Sequence, residues 1–190
     1  MKEVLIIDCG PSLSDVSKHH GVAPEWIMES LKNKECNFTW VKPYDGDKIQ
    51  SNNADAWIIT GSPHSVYDAA DWMVDIEEEM KNIQSSQLPV LGICFGHQLI
   101  AKCFGGEVEL NPKGWELGAY PVQFTAAGKK SQLFSGFKDN AIVYESHQDS
   151  VTVLPKNAIE LARNNKGNQA FIIHDNFYGV QFHPEFSWEV

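Results

Sequence analysis

Apolar and polar positions along the chain follow two alternating patterns. Short, nearly unbroken apolar runs are separated by stretches in which apolar residues recur every three or four positions. Residues 4–7 (VLII), 38–41 (FTWV), 56–60 (AWIIT) and 89–93 (PVLGI) read as four strands. Between them lie helical patterns. Pro24 suits a first helical turn, with Trp26, Ile27 and Leu31 on one face. Asp68 is placed to cap a second helix with Asp71 in its first turn, and Trp72, Ile76, Met80 and Ile83 form its apolar stripe. Glu77, Glu78 and Glu79 then lie on its solvated side. A third helix is expected over 96–104. Strands alternating with helices predict an α/β sheet with crossover helices.

Beyond Gly106 the pattern changes. Strand-like pieces at 119–124, 141–144 and 158–162 follow one another without helices between them. Residues 171–173 and 178–182 bracket the turn-forming HDNF and predict a hairpin. The chain shows no repeat, low-complexity stretch or linker, so residues 1–190 are expected to form one domain.

Bulk composition narrows the function. A content of 43% hydrophobic and 21% charged residues is that of an ordinary globular protein. The formal net charge of −10 opposes nucleic-acid or anionic-membrane binding, both of which select basic surfaces. Lys129-Lys130 reads as a solvated loop. The first apolar run is too short for a signal peptide, and no later one approaches a membrane span. Four cysteines (Cys9, Cys36, Cys94, Cys103) without a CxxC pair point to reduced thiols and a cytoplasmic protein.

The chemistry starts at LGICFGHQ, residues 91–98. Gly92-Ile93-Cys94-Phe95-Gly96 has the G-x-nucleophile-x-G form of a strand-to-helix elbow. In so sharp a turn, side chains two positions either side of the nucleophile would collide, and glycine removes them. A thiol there meets the positive end of the following helix, which favours thiolate. The N–H of Phe95 points into the same space and can stabilise an oxyanion. Cys103 and Cys9 lack these flanks and read as core. A cysteine nucleophile needs a base and the base an orienter. YGVQFHPEF supplies both: His183 follows an alternating strand, and Glu185 projects to the same side of an extended chain that Pro184 enforces. A metal site from Cys94, His97 and His183 is the competing constellation, but no second ligand pair accompanies it, so no metal is expected.

These segments, with TGSPHSVYD after the third strand and YESHQDSV, resemble the class I (triad-type) glutamine amidotransferases over most of the chain. The resemblance implies a flavodoxin-like α/β fold: a mostly parallel central sheet with helices on both faces and a smaller antiparallel sheet. It implies Cys94, His183 and Glu185 as catalytic triad and the backbone of Gly61, Ser62 and Phe95 as oxyanion hole. Gln98, Ser146, His147 and Gln148 fall in the segments that contact substrate, with no proton-transfer role for His147. No cofactor is implied. NPKGWELGAYPV and FHPEF are most similar to a stand-alone subgroup related to the GMP synthase amidotransferase domain.

The implied activity is hydrolysis of the γ-amide of L-glutamine through a cysteine thioester, with ammonia passed to a separate synthase. Hydrolysis of γ-glutamyl peptides or related γ-glutamyl small molecules by the same triad is the second expectation. A glutamine-binding regulator without chemistry is a third, and it would have no use for a nucleophile. Two departures stand out. Thr60-Gly61-Ser62-Pro63 has one glycine where many members have two, which leaves the donor open between Gly61 and Ser62. Family domains also continue into a helix that SWEV would begin, so the domain is expected to be cut short at Val190.

Overall fold

The computed structural model describes residues 1–32, 34–50, 54–188 and 190. The first half runs β1 (Lys2–Ile7), α1 (Ser14–His20), α2 (Ala23–Ser30), β2 (Cys36–Val41), β3 (Ala56–Ile59), α3 (Asp71–Ile83), β4 (Val90–Ile93) and α4 (Phe95–Cys103). The second half is almost all strand: β5 (Glu107–Leu110), β6 (Glu116–Pro121), β7 (Gln123–Phe124), β8 (Ile142–His147), β9 (Asp149–Val153), β10 (Ile159–Arg163), β11 (Asn168–Ile173) and β12 (Phe177–Val180).

Eight strands form one sheet in the order β2-β1-β3-β4-β12-β11-β10-β7. The five strands from β2 to β12 are parallel, and β11, β10 and β7 extend that sheet antiparallel. Two antiparallel ribbons, β5-β9 and β6-β8, stand apart from it. The expected α/β fold is therefore present, with its smaller antiparallel part divided between the sheet's far edge and two ribbons.

The unbroken apolar runs follow from burial on both faces. On β1, Leu5 and Ile7 enter one core with α3 and α4, while Val4 and Ile6 enter a second core with Ile27 of α2. Helices thus cover both faces. On α3 the buried stripe is Met73, Ile76, Met80 and Ile83. Met73 takes the place expected of Trp72, which is half-buried beside Phe95, ring centroids 5.8 Å apart. Asp68 does not cap α3. It closes a 3₁₀ turn, Val66–Asp68, accepting from the Ser65 backbone N–H, and Ala70 stands at the helix N-cap. Nor is the acidic side of α3 wholly solvated, since half-buried Glu77 accepts from Lys102 of α4.

The predicted hairpin is β11-β12, closed at residues 174–176. Its second strand lies parallel against β4, pairing Val180 with Ile93. That joint places the chain's C-terminal segment beside the end of β4. The helix start expected over 187–190 includes residue 189, which lies outside the described residues. No helix among the described residues is long and apolar enough to cross a membrane.

Candidate active site

Cys94 occupies the turn between β4 and α4 with φ 51° and ψ −99°, a backbone that L-residues seldom adopt. The flanking glycines explain how the turn exists. A Cβ on Gly92 would lie 2.4 Å from the carbonyl of Gly96, and one on Gly96 would lie 2.4 Å from the carbonyl oxygen of Ile59 in β3. The elbow is thus pressed against itself and against the neighbouring strand. It leaves Cys94 buried at the N-terminus of α4, with Sγ 3.9 Å from the carbonyl oxygen of Ser146.

His183 arrives from β12, and its backbone N–H donates to the carbonyl of Tyr144 at 2.8 Å. Its Nδ1 lies 2.8 Å from Oε1 of Glu185, both side chains buried. Nε2 is also buried and makes no hydrogen bond among the described residues. One side of the ring is close to Gly61, where a Cβ would meet Cε1 at 3.1 Å and the Cβ of Cys94 at 3.7 Å. Phe186 stacks on it, centroids 4.0 Å apart at 11°, and Trp26 of α2 backs Phe186 edge-on. Burial alone would strip the proton from this imidazole. The neighbouring Cys94 and Glu185 outweigh burial and raise His183 to about 10.

All ten residues expected at the site line one cavity of about 410 Å³. Ser62 donates its hydroxyl to the carbonyl of Cys9 at 2.7 Å, which holds the loop after β3 against the end of β1. Gln98 is buried and its amide donates to the carbonyl of Asp149 and to Oε1 of Gln181, each at 3.1 Å. Ser146 and Gln148 lie at the end of β8 and in the corner before β9.

His147 is the most constrained of the ten. Nδ1 lies 2.8 Å from the carbonyl oxygen of Asp149, which only accepts, so Nδ1 carries a proton. Nε2 faces Glu116 at 3.2 Å and Glu145 at 3.3 Å, all three side chains buried. Burial opposes the charged ring, but the two carboxylates prevail and His147 is raised to about 10. Burial pushes the Glu145 carboxyl up. Glu116 accepts further from Asn164 at 2.5 Å and Gln169 at 3.1 Å. Among the described residues, Glu116, Glu145 and His147 are the group whose ligand atoms lie within 4.8 Å of one another and could hold a metal. A doubly protonated imidazole already supplies the positive charge those carboxylates need.

Burial pushes Cys9 far up, and Cys103 to about 11. His97, the partner in the alternative metal reading, is fully buried against Phe171 with Nε2 2.9 Å from Oδ1 of Asn168. Burial lowers it to about 4, which leaves it neutral. Sequence reasoning missed Glu116, Glu145, Asp149, Phe186 and Trp26. The signal available for Phe186 was the unusual FHPEF. For Glu116 and Glu145 it was acidic residues inside strand-like segments.

The family model for class I glutamine amidotransferases matches residues 6–190. The chain is 32% identical over 148 residues to gamma-glutamyl peptidase 3 of Arabidopsis thaliana, covering 76% of this chain and 59% of that protein. It is 38% identical over 144 residues to a GMP synthase [glutamine-hydrolyzing] of Clostridium kluyveri, covering 75% of this chain and 26% of that one. The chain therefore spans less than two thirds of either relative. In fold it is similar to a crystal structure of a glutamine amidotransferase from Methylobacillus flagellatus, with a TM-score of 0.83 at 24% identity, covering 98% of this chain and 72% of that one. With a family model matched almost from end to end, the chain belongs to the class I glutamine amidotransferases.

Proposed function

We propose that the protein hydrolyses the γ-amide of L-glutamine, with Cys94 as nucleophile, His183 as base and acid, and Glu185 as orienter. The observation that carries this is the strained elbow of Cys94 in one cavity with a His183 whose Nδ1 is held 2.8 Å from a buried carboxylate. The Cys94 sulfur attacks the γ-carbonyl carbon, and the developing oxyanion meets the N–H of Phe95 and the Gly61-Ser62 backbone. As the C–N bond breaks, His183 gives its proton to the leaving nitrogen and ammonia departs. His183 then takes a proton from water, which attacks the thioester, releases glutamate and returns the Cys94–His183 pair to its starting protonation. Gln98, Ser146, His147 and Gln148 form the wall that receives the amino-acid end. The ammonia passes to a separate synthase, a reading supported by the similarity to a GMP synthase [glutamine-hydrolyzing].

A second substrate is favoured by one feature. The cavity is also lined by apolar Leu13, Val16 and Trp26, and its volume of about 410 Å³ gives room for an amine larger than ammonia. Similarity to a gamma-glutamyl peptidase points the same way. Glutamate release from L-glutamine and a panel of γ-glutamyl amides and peptides, by wild type and Cys94→Ala, tests both substrates. Turnover should fall at least about a thousandfold in Cys94→Ala. Wild-type turnover that survives in Cys94→Ala would remove Cys94 from the chemistry, and the preferred substrate separates the two hydrolyses.

A further inference from the structure

Asp149 opens β9, and no step of the proposed chemistry uses it. We propose that Asp149 is a positioning residue that locks the oxyanion loop, helix α4 and the β8-β9 corner together around Cys94. The proposal rests on the chemistry assigned to Cys94, because it gives Gly61 and Ser62 a donor role that must be held in place.

The Asp149 carboxylate is buried, and each oxygen takes a different hydroxyl. Oδ2 accepts from Ser65 Oγ at 2.5 Å and Oδ1 from the Tyr67 hydroxyl at 3.1 Å. Both donors stand just beyond Gly61-Ser62, on a segment whose regular structure is a single 3₁₀ turn. Ser62 anchors one end of that segment to Cys9, and fully buried Val66 plugs into the larger core between the two donors. Asp149 supplies the link from the segment to the opposite wall. Its backbone carbonyl accepts from Gln98 of α4 at 3.1 Å and from His147 of β8 at 2.8 Å. One residue therefore receives four hydrogen bonds from three walls of the cavity.

A carboxylate suits this post because it only accepts. It can take two hydroxyl protons at once without presenting a proton of its own, and charge-assisted bonds of this kind are short and strong. A small displacement of oxyanion donors relative to the nucleophile lowers the rate of the chemical step and leaves ground-state binding nearly alone.

The test uses the full chain with Asp149→Ala, Asp149→Asn, Ser65→Ala, Tyr67→Phe and the Asp149→Ala/Ser65→Ala double variant. Three quantities are followed: kcat and KM on the γ-glutamyl amide that wild type turns over best, alkylation of Cys94 by iodoacetamide, and amide hydrogen exchange over residues 61–68. Asp149→Ala should lower kcat about tenfold or more with KM changed by less than about threefold. Asp149→Asn, which keeps one acceptor, should fall between it and wild type. The double variant should be no worse than Asp149→Ala, since Ser65 acts through Asp149. Cys94 alkylation should stay near wild type while exchange over 61–68 quickens.

A raised KM at unchanged kcat would make Asp149 a substrate contact and overturn the proposal. So would additive losses in the double variant, or alkylation falling in step with kcat, which marks general damage to the site. If wild type turns over no γ-glutamyl amide, the chemistry at Cys94 fails, yet the exchange measurement still decides. Faster exchange confined to 61–68 supports the lock, and wild-type exchange there ends it.

Discussion

His183 carries its proton because of what surrounds it. Burial pulls the imidazole toward neutrality, while Cys94 and Glu185 beside it hold the proton, up to about 10. Without the sulfur, burial is opposed by Glu185. Cys94→Ser should therefore lower the value for His183, read from its imidazole resonances by NMR across pH. An unmoved titration would mean that Cys94 lends no charge to the histidine. At this scale the sequence was informative, because a nucleophile elbow and His-Pro-Glu are local patterns with local steric reasons. Phe186 was less legible: nothing within FHPEF says that the ring folds back to stack on His183.

Among elements, the β4-α4 elbow has the least slack. A methyl group on Gly96 would sit 2.4 Å from the Ile59 carbonyl oxygen, and neither backbone can yield without parting β3 from α4. Gly96→Ala should cost about 3 kcal/mol, measured as a shift in urea midpoint, with a smaller change for alanine at Gly46, where a Cβ meets nothing within 4 Å and only the φ of 93° opposes it. Equal shifts at both positions would show that backbone freedom, not collision, is what Gly96 provides.

The β6-β8 ribbon shows why other elements were harder to read. The inward positions of β8 are Val143, Glu145 and His147, and the partner opposite His147 is Glu116. A strand that turns acids and an imidazole inward breaks the apolar alternation, so the pattern marked 141–144 as strand and stopped before Glu145. The Glu116-His147 pairing exists only through cross-strand register, which hydrophobic periodicity does not encode. β5 is short and mostly exposed, so the alternation of its 4 residues marks no buried face.

For the whole molecule, the two site histidines set how stability responds to pH. Both His147 and His183 are raised from 6.5 to about 10, so the folded state holds each proton more tightly than the unfolded chain does. Their contribution is complete below about pH 6.5 and is lost as pH climbs toward 10. Urea midpoints should decline steadily across that window, and a flat profile would mean that both rings titrate normally in the folded protein. The fold class was legible at this scale because helix-strand alternation is a global pattern. The sheet order was not, since β12 reaches β4 from almost half the chain away and no local signal announces its partner.

That late joint has a consequence for how the protein comes to life. Cys94 donates its backbone N–H to the Val180 carbonyl at 2.8 Å, so the turn that carries it is completed by a strand synthesised long after it. β1 to β4 can pair as soon as they emerge, whereas docking β12 must wait for the long antiparallel excursion to be synthesised and folded. Until then the thiol has neither imidazole nor cavity. On the proposed chemistry, Cys94 is thus withheld by topology alone during synthesis, and competence arrives at the moment the sheet closes.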